Sequence, residues 1–582
     1  MKKIINAPET FVPEMCGGIV LANPELALNA KYKIIRKAQI DPRKVSLISG
    51  GGSGHEPAHA GYIGKGMLDA AVCGDMFASP SQIQVYKAIQ ETKSEKGTLL
   101  IIKNYSGDIM NFKNAAGLAE DEATVDYVVV DDDIAVKDSL YTVGRRGVAG
   151  TVLVHKIAGA AAELGWSLSE VKAAAENAIA NTRSVGFALT SCTVPAKGTP
   201  TFEIGEEDME YGVGIHGEPG VGREKMMAAD PLAERMLNSL KAELSLNAGD
   251  EVTLLVNGFG GTPLQELYLL NNTCCRILGE MGITIHRCFA GNYMTSIDMM
   301  GASLTLMKMN PQLKELLNQP SLAPAFRVDG PVPEVRWQQT VRQSANGEDA
   351  SFGMRVGAEN AHVGASLTAG NLAYLVDRMG TYIIENEVPF CELDSFAGDG
   401  DFGMSVAKGF RQLKREWNEL VAQGVEDIGG FLCDCALVIM EHCGGASGPI
   451  WGSAFLAAGK QAKGKRELNA VEFSEVLQAA LRGIQQTGER AFGRGAKVGD
   501  KTLVDALSPC VDAWEEASRK GATIADCFSI GAAAAVAGAK ATEQIVARMG
   551  RAGTVGKRSL GHPDAGAYAL GEIFTDLAEQ IQ

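Results

Sequence analysis

The chain has 582 residues, a net charge of −16 and 46% hydrophobic residues. That length allows about three or four domains with full cores, and an acidic balance without a basic cluster excludes nucleic acid and anionic membrane as main partners. The twelve cysteines lack a repeated C-x-x-C pair, the start (MKKIINAPETFVPEM) lacks the apolar core of a signal peptide, and the most membrane-like run, Ile530 to Ala539, is too short to span a bilayer. A cytoplasmic protein with reduced thiols is expected.

From residue 1 to about 190, apolar runs alternate with Ala-rich amphipathic segments, the rhythm of an α/β domain. Val45 to Ile48, Thr98 to Lys103 and Tyr127 to Val130 read as buried parallel strands, each ending in a polar loop: SGGGSGHEP, KNYSGD and DDD. Ligands of parallel sheets bind beyond the carboxyl ends of strands, so these loops are expected to converge on one crevice, with Lys103 and Asp108 near His55. The glycines from Gly50 to Gly52 allow close approach of backbone N–H groups to a small ligand. Two other motifs are set aside. His55 to His59 spells H-E-x-x-H, but Pro57 interrupts the helix that a zinc site needs, and no lysine follows the glycines as in a phosphate loop.

Arg145 and Arg146 open the next helical stretch, either as an anion-stabilising pair or as a salt-bridging surface feature. A second α/β stretch spans 191 to 330. It contains SCTVP, GVGIHGEPG and a strand Val252 to Val256 followed by NGFGGTP. His216, between Gly214 and Gly217, is either reachable by a ligand or an exposed turn histidine. Residues 331–358 are polar, start with prolines and lack periodicity, as an interdomain linker does.

From 359 to 582 the pattern becomes long Ala- and Leu-containing helices, and an all-helical domain is predicted. Its segment ELDSFAGDGDFGMS sets Asp394, Asp399 and Asp401 among glycines. Three carboxylates so close repel one another unless a hard cation such as magnesium neutralises them; the alternative is a solvated acidic loop. GGASG at Gly444 to Gly448 and GRGAKVGDKT at Gly493 to Thr502 can lend backbone N–H groups to phosphates. Cys433, Cys435, Glu441, His442 and Cys443 form a weaker metal candidate, since helical spacing scatters them around the axis.

The set GGGSGHEPAHAGYIGKGM, KNYSGD, VDDD, GRRGVAGT, SCTVP and GVGIHGEPG resembles the K domain of dihydroxyacetone kinases. LDSFAGDGDFG, GGASG, GDKTLVDAL and GHPDAGA resemble their L domain, so the likeness covers essentially the whole chain. Both domains in one chain is similar to the ATP-dependent enzymes. The resemblance implies two α/β subdomains, the K domain, followed by an all-α helical barrel, the L domain.

It further implies ATP-dependent phosphorylation of a short ketose, by default dihydroxyacetone, held as a hemiaminal on His216. Gly52, Ser53, Gly54, His55, Lys103 and Asp108 match substrate-contacting positions, with His55 and Asp108 as acid/base candidates. Asp394, Asp399 and Asp401 match magnesium ligands. Asp401, Phe402, Gly403, Met404, Ala446, Ser447, Gly495, Thr502, Asp564, Ala565 and Gly566 match segments that contact ATP. A homodimer is implied in which the L domain of one chain serves the K domain of the other. The chain departs from the family pattern at Phe402, Met404 and Ala446 and in RAGTVGKRS at Arg551 to Ser559, which leaves three alternatives open. These are an erythrulose kinase, a lyase that cyclises FAD to cyclic FMN, and a non-catalytic ketose-binding regulator.

Overall fold

The structure is a computed structural model that describes all residues except 1, 137–143, 219, 339–351, 425–426, 550–552, 554–555 and 582. It divides into two compact units, Met1–Arg342 and Gln343–Gln582, where length alone suggested three or four domains. The division falls within residues 331–358. The centre of that stretch and residues 551–552 and 554–555 of RAGTVGKRS lie outside the described residues.

The first unit contains two six-stranded sheets. The first is built from β1 (Leu26–Asn29), β2 (Ile34–Lys37), β3 (Ser46–Ser53), β4 (Ala70–Met76), β5 (Thr98–Lys103) and β6 (Val125–Val130), in the order β1-β2-β4-β3-β5-β6. β4, β3, β5 and β6 run parallel, so their carboxyl ends lie on one edge. The run predicted to stop at Ile48 continues as strand through Ser53. The glycines sit inside the strand because there is no room for side chains: a Cβ on Gly52 would lie 2.6 Å from the Ala78 nitrogen and 2.7 Å from the Phe77 carbonyl carbon.

The second sheet contains β7 (Thr182–Ala188), β8 (Asp208–Tyr211), β9 (Gly222–Lys225), β10 (Glu251–Gly258), β11 (Thr284–Gly291) and β12 (Gly301–Lys308), ordered β11-β10-β12-β7-β8-β9. Only β10 and β11 pair in parallel. β7 precedes residue 190, so the second sheet recruits its first strand from the stretch read as part of the first. Between β6 and β7 the helix Gly150–Glu163 is buried from Gly150 to Ala162 and touches strands of both sheets. Its many small and aliphatic residues suit packing between two sheets, and its buried His155 and Lys156 are hydrogen-bonded to protein atoms.

In the second unit eight helices close a ring: Ala369–Glu385, Phe402–Arg415, Ile428–His442, Ser447–Gln461, Ala470–Phe492, Val504–Arg519, Ile524–Ala541 and Ala565–Gln580. Each packs on the next and the last on the first. The helix containing Ile530 to Ala539 is one of these staves and buries Cys527, Phe528, Ala532 and Ala535. The interior holds an apolar cavity of about 140 Å³ lined by residues such as Leu375, Leu432, Phe473 and Phe574.

Candidate functional site

In the first unit the ends of β3, β4 and β5 open on a cavity of about 400 Å³ lined by Gly52, Phe77, Ser79, Tyr105, Ser106, Gly107, Asp108 and His216. Asp108 lies in the first turn of the helix Ser106–Leu118 that follows β5, and Lys103 is the last residue of that strand. Gly51 marks their meeting place, since a Cβ there would lie 3.3 Å from Lys103 Nζ and 3.5 Å from Asp108 Oδ2. Burial pushes the Asp108 carboxyl above its usual range while Lys103 opposes the shift, and burial lowers the Lys103 ammonium.

His216 reaches this cavity from the loop after β8. Its ring is clamped edge-on by Tyr105, His55 and Phe77, with centroids 4.6, 4.7 and 5.1 Å away. Only 17% of the side chain is accessible, so it is not an exposed turn histidine. Its Nε2 lies 3.1 Å from His55 Nε2, and His55 Nδ1 lies 2.7 Å from the Thr295 carbonyl oxygen. A carbonyl only accepts, so His55 Nδ1 holds a proton. Burial, then the Lys103 charge, presses His55 strongly toward its neutral form.

The two histidines of H-E-x-x-H part company. His59 turns away to His155, with Nδ1 and Nε2 3.1 Å apart, and shares no ligand position with His55. Ser53 gives its hydroxyl to the Gly74 carbonyl, and Gly54 packs against the Phe77 ring, so both support the wall of the cavity. The DDD loop does not line it. Asp132 accepts N–H bonds from Val148 and Gly150 at the head of the buried helix, and Asp133 accepts from Arg146. Arg146 is fully buried, while Arg145 makes the surface pair, 2.6 Å from Glu243. Phe77, Ser79 and Tyr105 were missed. Phe77 and Ser79 follow β4, whose apolar run AAVC gives the same strand-then-loop signal as its neighbours. Thr295 has no local signal.

In the helical unit a second cavity of about 200 Å³ is lined by Asp394, Asp399, Asp401, Phe402, Ala446, Ser447, Thr502, Asp564, Ala565 and Gly566, among others. Four helices begin at its wall: Phe402–Arg415, Ser447–Gln461, Val504–Arg519 and Ala565–Gln580. Their N-terminal N–H groups and dipoles present positive potential to an anion. One carboxylate oxygen from each of Asp394, Asp399 and Asp401 lies within 4.8 Å of the others, the one such metal-ligating group among the described residues. Cys433, Cys435, Glu441, His442 and Cys443 form no such group. Burial pushes the Asp394 carboxyl up, and the charges of Asp399 and Asp401 add to that shift. Three hard oxygen donors gathered this closely fit a magnesium ion.

Three predicted contacts lie off this wall. Gly403 packs against the helix Glu387–Asp394, Gly495 against Gln485, and Met404 is exposed. Sequence reasoning missed Lys501, whose buried Nζ donates to the carbonyl oxygens of Thr542, Ser559 and His562 and so ties the GDKT loop to the start of the last helix.

Residues 17–325 match the Dak1 domain and 396–579 the DAK2 domain. The triokinase/FMN cyclase of Mus musculus is 33% identical over the whole of this chain and 99% of its own, and the L-erythrulose 1-kinase of Mycolicibacterium smegmatis is 34% identical over the whole of both. The crystal structure of the dihydroxyacetone kinase from C. freundii in complex with AMP-PNP and Mg2+ is 30% identical with a TM-score of 0.60, covering 99% of each chain. With both domains in order and matches that run from end to end, this chain belongs to the dihydroxyacetone kinase family.

Proposed function

We propose that the protein phosphorylates a short ketose with ATP, dihydroxyacetone to dihydroxyacetone phosphate by default, and that the ketose is held as a hemiaminal on His216. The observation that carries this reading is the His216–His55 pair beside Asp108 at a small polar cavity. As the ketose enters, His216 Nε2 passes its proton to the bare Nε2 of His55, 3.1 Å away, and bonds to the carbonyl carbon; the C=O π pair moves to oxygen, which takes that proton from His55. Asp108 then accepts the proton of a terminal hydroxyl as its oxygen attacks the γ-phosphorus of ATP and ADP leaves. The raised pKa of Asp108 suits it to that exchange, and Lys103 offsets the charge beside it.

The nucleotide belongs in the helical unit. Ser447, Thr502 and Ala565 would meet the phosphates at helix starts. Asp394, Asp399 and Asp401 would hold magnesium, which when bound neutralises charge on the transferring phosphates. The cocrystallised AMP-PNP and Mg2+ of the C. freundii relative support this assignment. The assembly that goes with it is a cytoplasmic homodimer in which the helical unit of one chain serves the α/β unit of the other.

A four-carbon ketose is the second reading, favoured by the erythrulose kinase relative. A coupled assay with ATP and magnesium across dihydroxyacetone, both erythruloses, glyceraldehyde and glycerol ranks them, and FAD with manganese tests the lyase alternative. His216→Ala is expected to lose tight ketose binding, keep nucleotide binding and discriminate less between ketose and glycerol. A variant that still binds dihydroxyacetone tightly and rejects glycerol overturns the covalent role.

A further inference from the structure

The side of His216 facing away from His55 is met by Glu218, two residues along the same loop. Glu218 Oε2 accepts the His216 backbone N–H at 2.8 Å, and Oε1 lies 3.8 Å from His216 Nδ1. Only 5% of the Glu218 side chain is accessible. Arg146, with no accessible side-chain surface, stands behind it with Nη1 3.7 Å from the same Oε1. The arginine is itself immobilised, since Nε donates to Asp133 Oδ2 at 2.7 Å and Nη2 to the Gly212 carbonyl at 2.7 Å. Neither Glu218 Oε1 nor Arg146 Nη1 has a hydrogen-bond partner among the described residues. Gly214 makes room for the pair, because a Cβ there would overlap the Glu218 carboxylate and lie 2.5 Å from Arg146 Nη1.

This chain of contacts explains three features that substrate contact leaves unused: the third aspartate of VDDD, the second arginine of GRRG and the glutamate of GIHGEP. Arg146 is too deeply buried to meet a phosphate. A buried carboxylate beside one imidazole nitrogen keeps a proton on that nitrogen and leaves the lone pair on the other. The groups facing His216 are His55, Tyr105, Asp108 and Glu218, with Arg146 and Lys103 beyond them. Of the two carboxylates among them, only Glu218 approaches Nδ1 in an ion-pair contact.

We propose that Glu218, anchored by Arg146 and Asp133, is the positioning residue that keeps the proton on His216 Nδ1, so that Nε2, once it hands its own proton to the bare His55 Nε2, turns its lone pair to the ketose carbonyl. The inference rests on the covalent reading of His216 given above. It assigns the arginine and both acidic residues to orientation of the nucleophile.

The test uses the full chain with dihydroxyacetone labelled with carbon-13 at C2, whose resonance moves from the carbonyl range to that of a saturated carbon on bonding to nitrogen. Wild type, His216→Ala, Glu218→Gln and Glu218→Asp are titrated across pH, with thermal unfolding as the check on folding. Wild type is expected to form the saturated species and His216→Ala none. Glu218→Gln should need at least roughly 10-fold more ketose, as befits loss of a tautomer-fixing carboxylate. The acidic limb of its adduct formation should move to lower pH, because a neighbouring carboxylate favours the charged form of an imidazole and the glutamine does not. Glu218→Asp should recover part of the affinity and keep the wild-type limb.

A folded Glu218→Gln that matches wild type in both affinity and limb overturns the proposal while leaving the covalent reading intact. So does loss of affinity with an unmoved limb, the mark of a merely structural role. Should the glutamine variant fail to fold, nitrogen-15 histidine spectra of wild type decide. Nδ1 of His216 must carry the proton, and a bare Nδ1 overturns the proposal. Absence of the saturated carbon in wild type, or its persistence in His216→Ala, instead defeats the covalent reading and this inference with it.

Discussion

In the α/β unit the ionisable groups at the cavity are buried, and several are engaged with protein atoms, His55 with Thr295 and His216 and Glu218 with the His216 N–H, while Lys103 Nζ has no hydrogen-bond partner among the described residues. In the helical unit the three aspartates are half-buried or exposed, and their oxygens converge within 4.8 Å. The difference follows from the charge of the ligand each site suits. A neutral ketose brings no charge to compensate buried ions, so the protein offsets most of them itself; burial pushes Glu218 up, but contact with His216 and the Arg146 charge hold it down to about 2. A nucleotide with its cation brings both signs, so mutual repulsion of aspartates can stand until the ion arrives. One site offsets most of its charge within the protein, and the other gathers like charges that suit a cation.

The comparison is broken most severely at Asp108. Asp108→Asn should leave the saturated-carbon adduct intact while kcat falls roughly 10²- to 10⁴-fold, the range for removing a general base. Equal loss of adduct and turnover would mean that Asp108 serves binding, and that the buried site does not divide binding from chemistry.

The next largest effect belongs to the cation loop. Asp399→Ala or Asp401→Ala should lower turnover roughly 10²- to 10³-fold, the scale for a lost electrostatic group, and weaken magnesium binding in calorimetry, with ketose binding unchanged. An alanine variant that turns over normally at limiting magnesium would make the loop a solvated acidic turn and erase the contrast between the units.

How far the sequence reveals each site follows from the range of the interactions. β3, β5 and the loops after them are local patterns, and the convergence of Lys103 and Asp108 on His55 follows from the rule that parallel strands end on one edge. The aspartate cluster is legible because all three carboxylates fall within eight residues, between one helix end and the next helix start. What pairing brings from afar is not legible. Thr295 reaches His55 across 240 residues, and β7 joins the second sheet through β12. DDD looks like a third wall of the crevice, yet Asp132 and Asp133 tie down the head of a buried helix and Arg146. Sequence spacing marks the ends of strands without saying whether a carboxylate there faces ligand or protein.

The smallest expected effect sharpens the comparison within the helical unit itself. Asp564 caps the last helix by accepting the Ala567 N–H at 2.8 Å, and it lines the cavity with the three aspartates. Burial, with Asp505 and Asp394 adding to it against the Ala567 hydrogen bond and Lys501, pushes its carboxyl up to about 7. Between the ordinary carboxyl value near 4 and about 7 the folded chain therefore binds more protons than the unfolded chain. The stability this group contributes is present at low pH and is lost as pH rises through about 7, the reverse of an ion-paired carboxylate. Asp564→Asn keeps the cap, since asparagine caps as well as aspartate, and removes the titration. Its unfolding midpoint should match wild type near pH 4, rise above it by a few degrees as pH climbs to 8, and level off beyond. A cation bound at the cavity should also narrow the gap at pH 8 by stabilising the wild-type carboxylates. A midpoint difference that is the same at pH 4 and pH 8, with and without magnesium, would show that Asp564 carries no charge cost and that the repulsion is confined to the three loop aspartates.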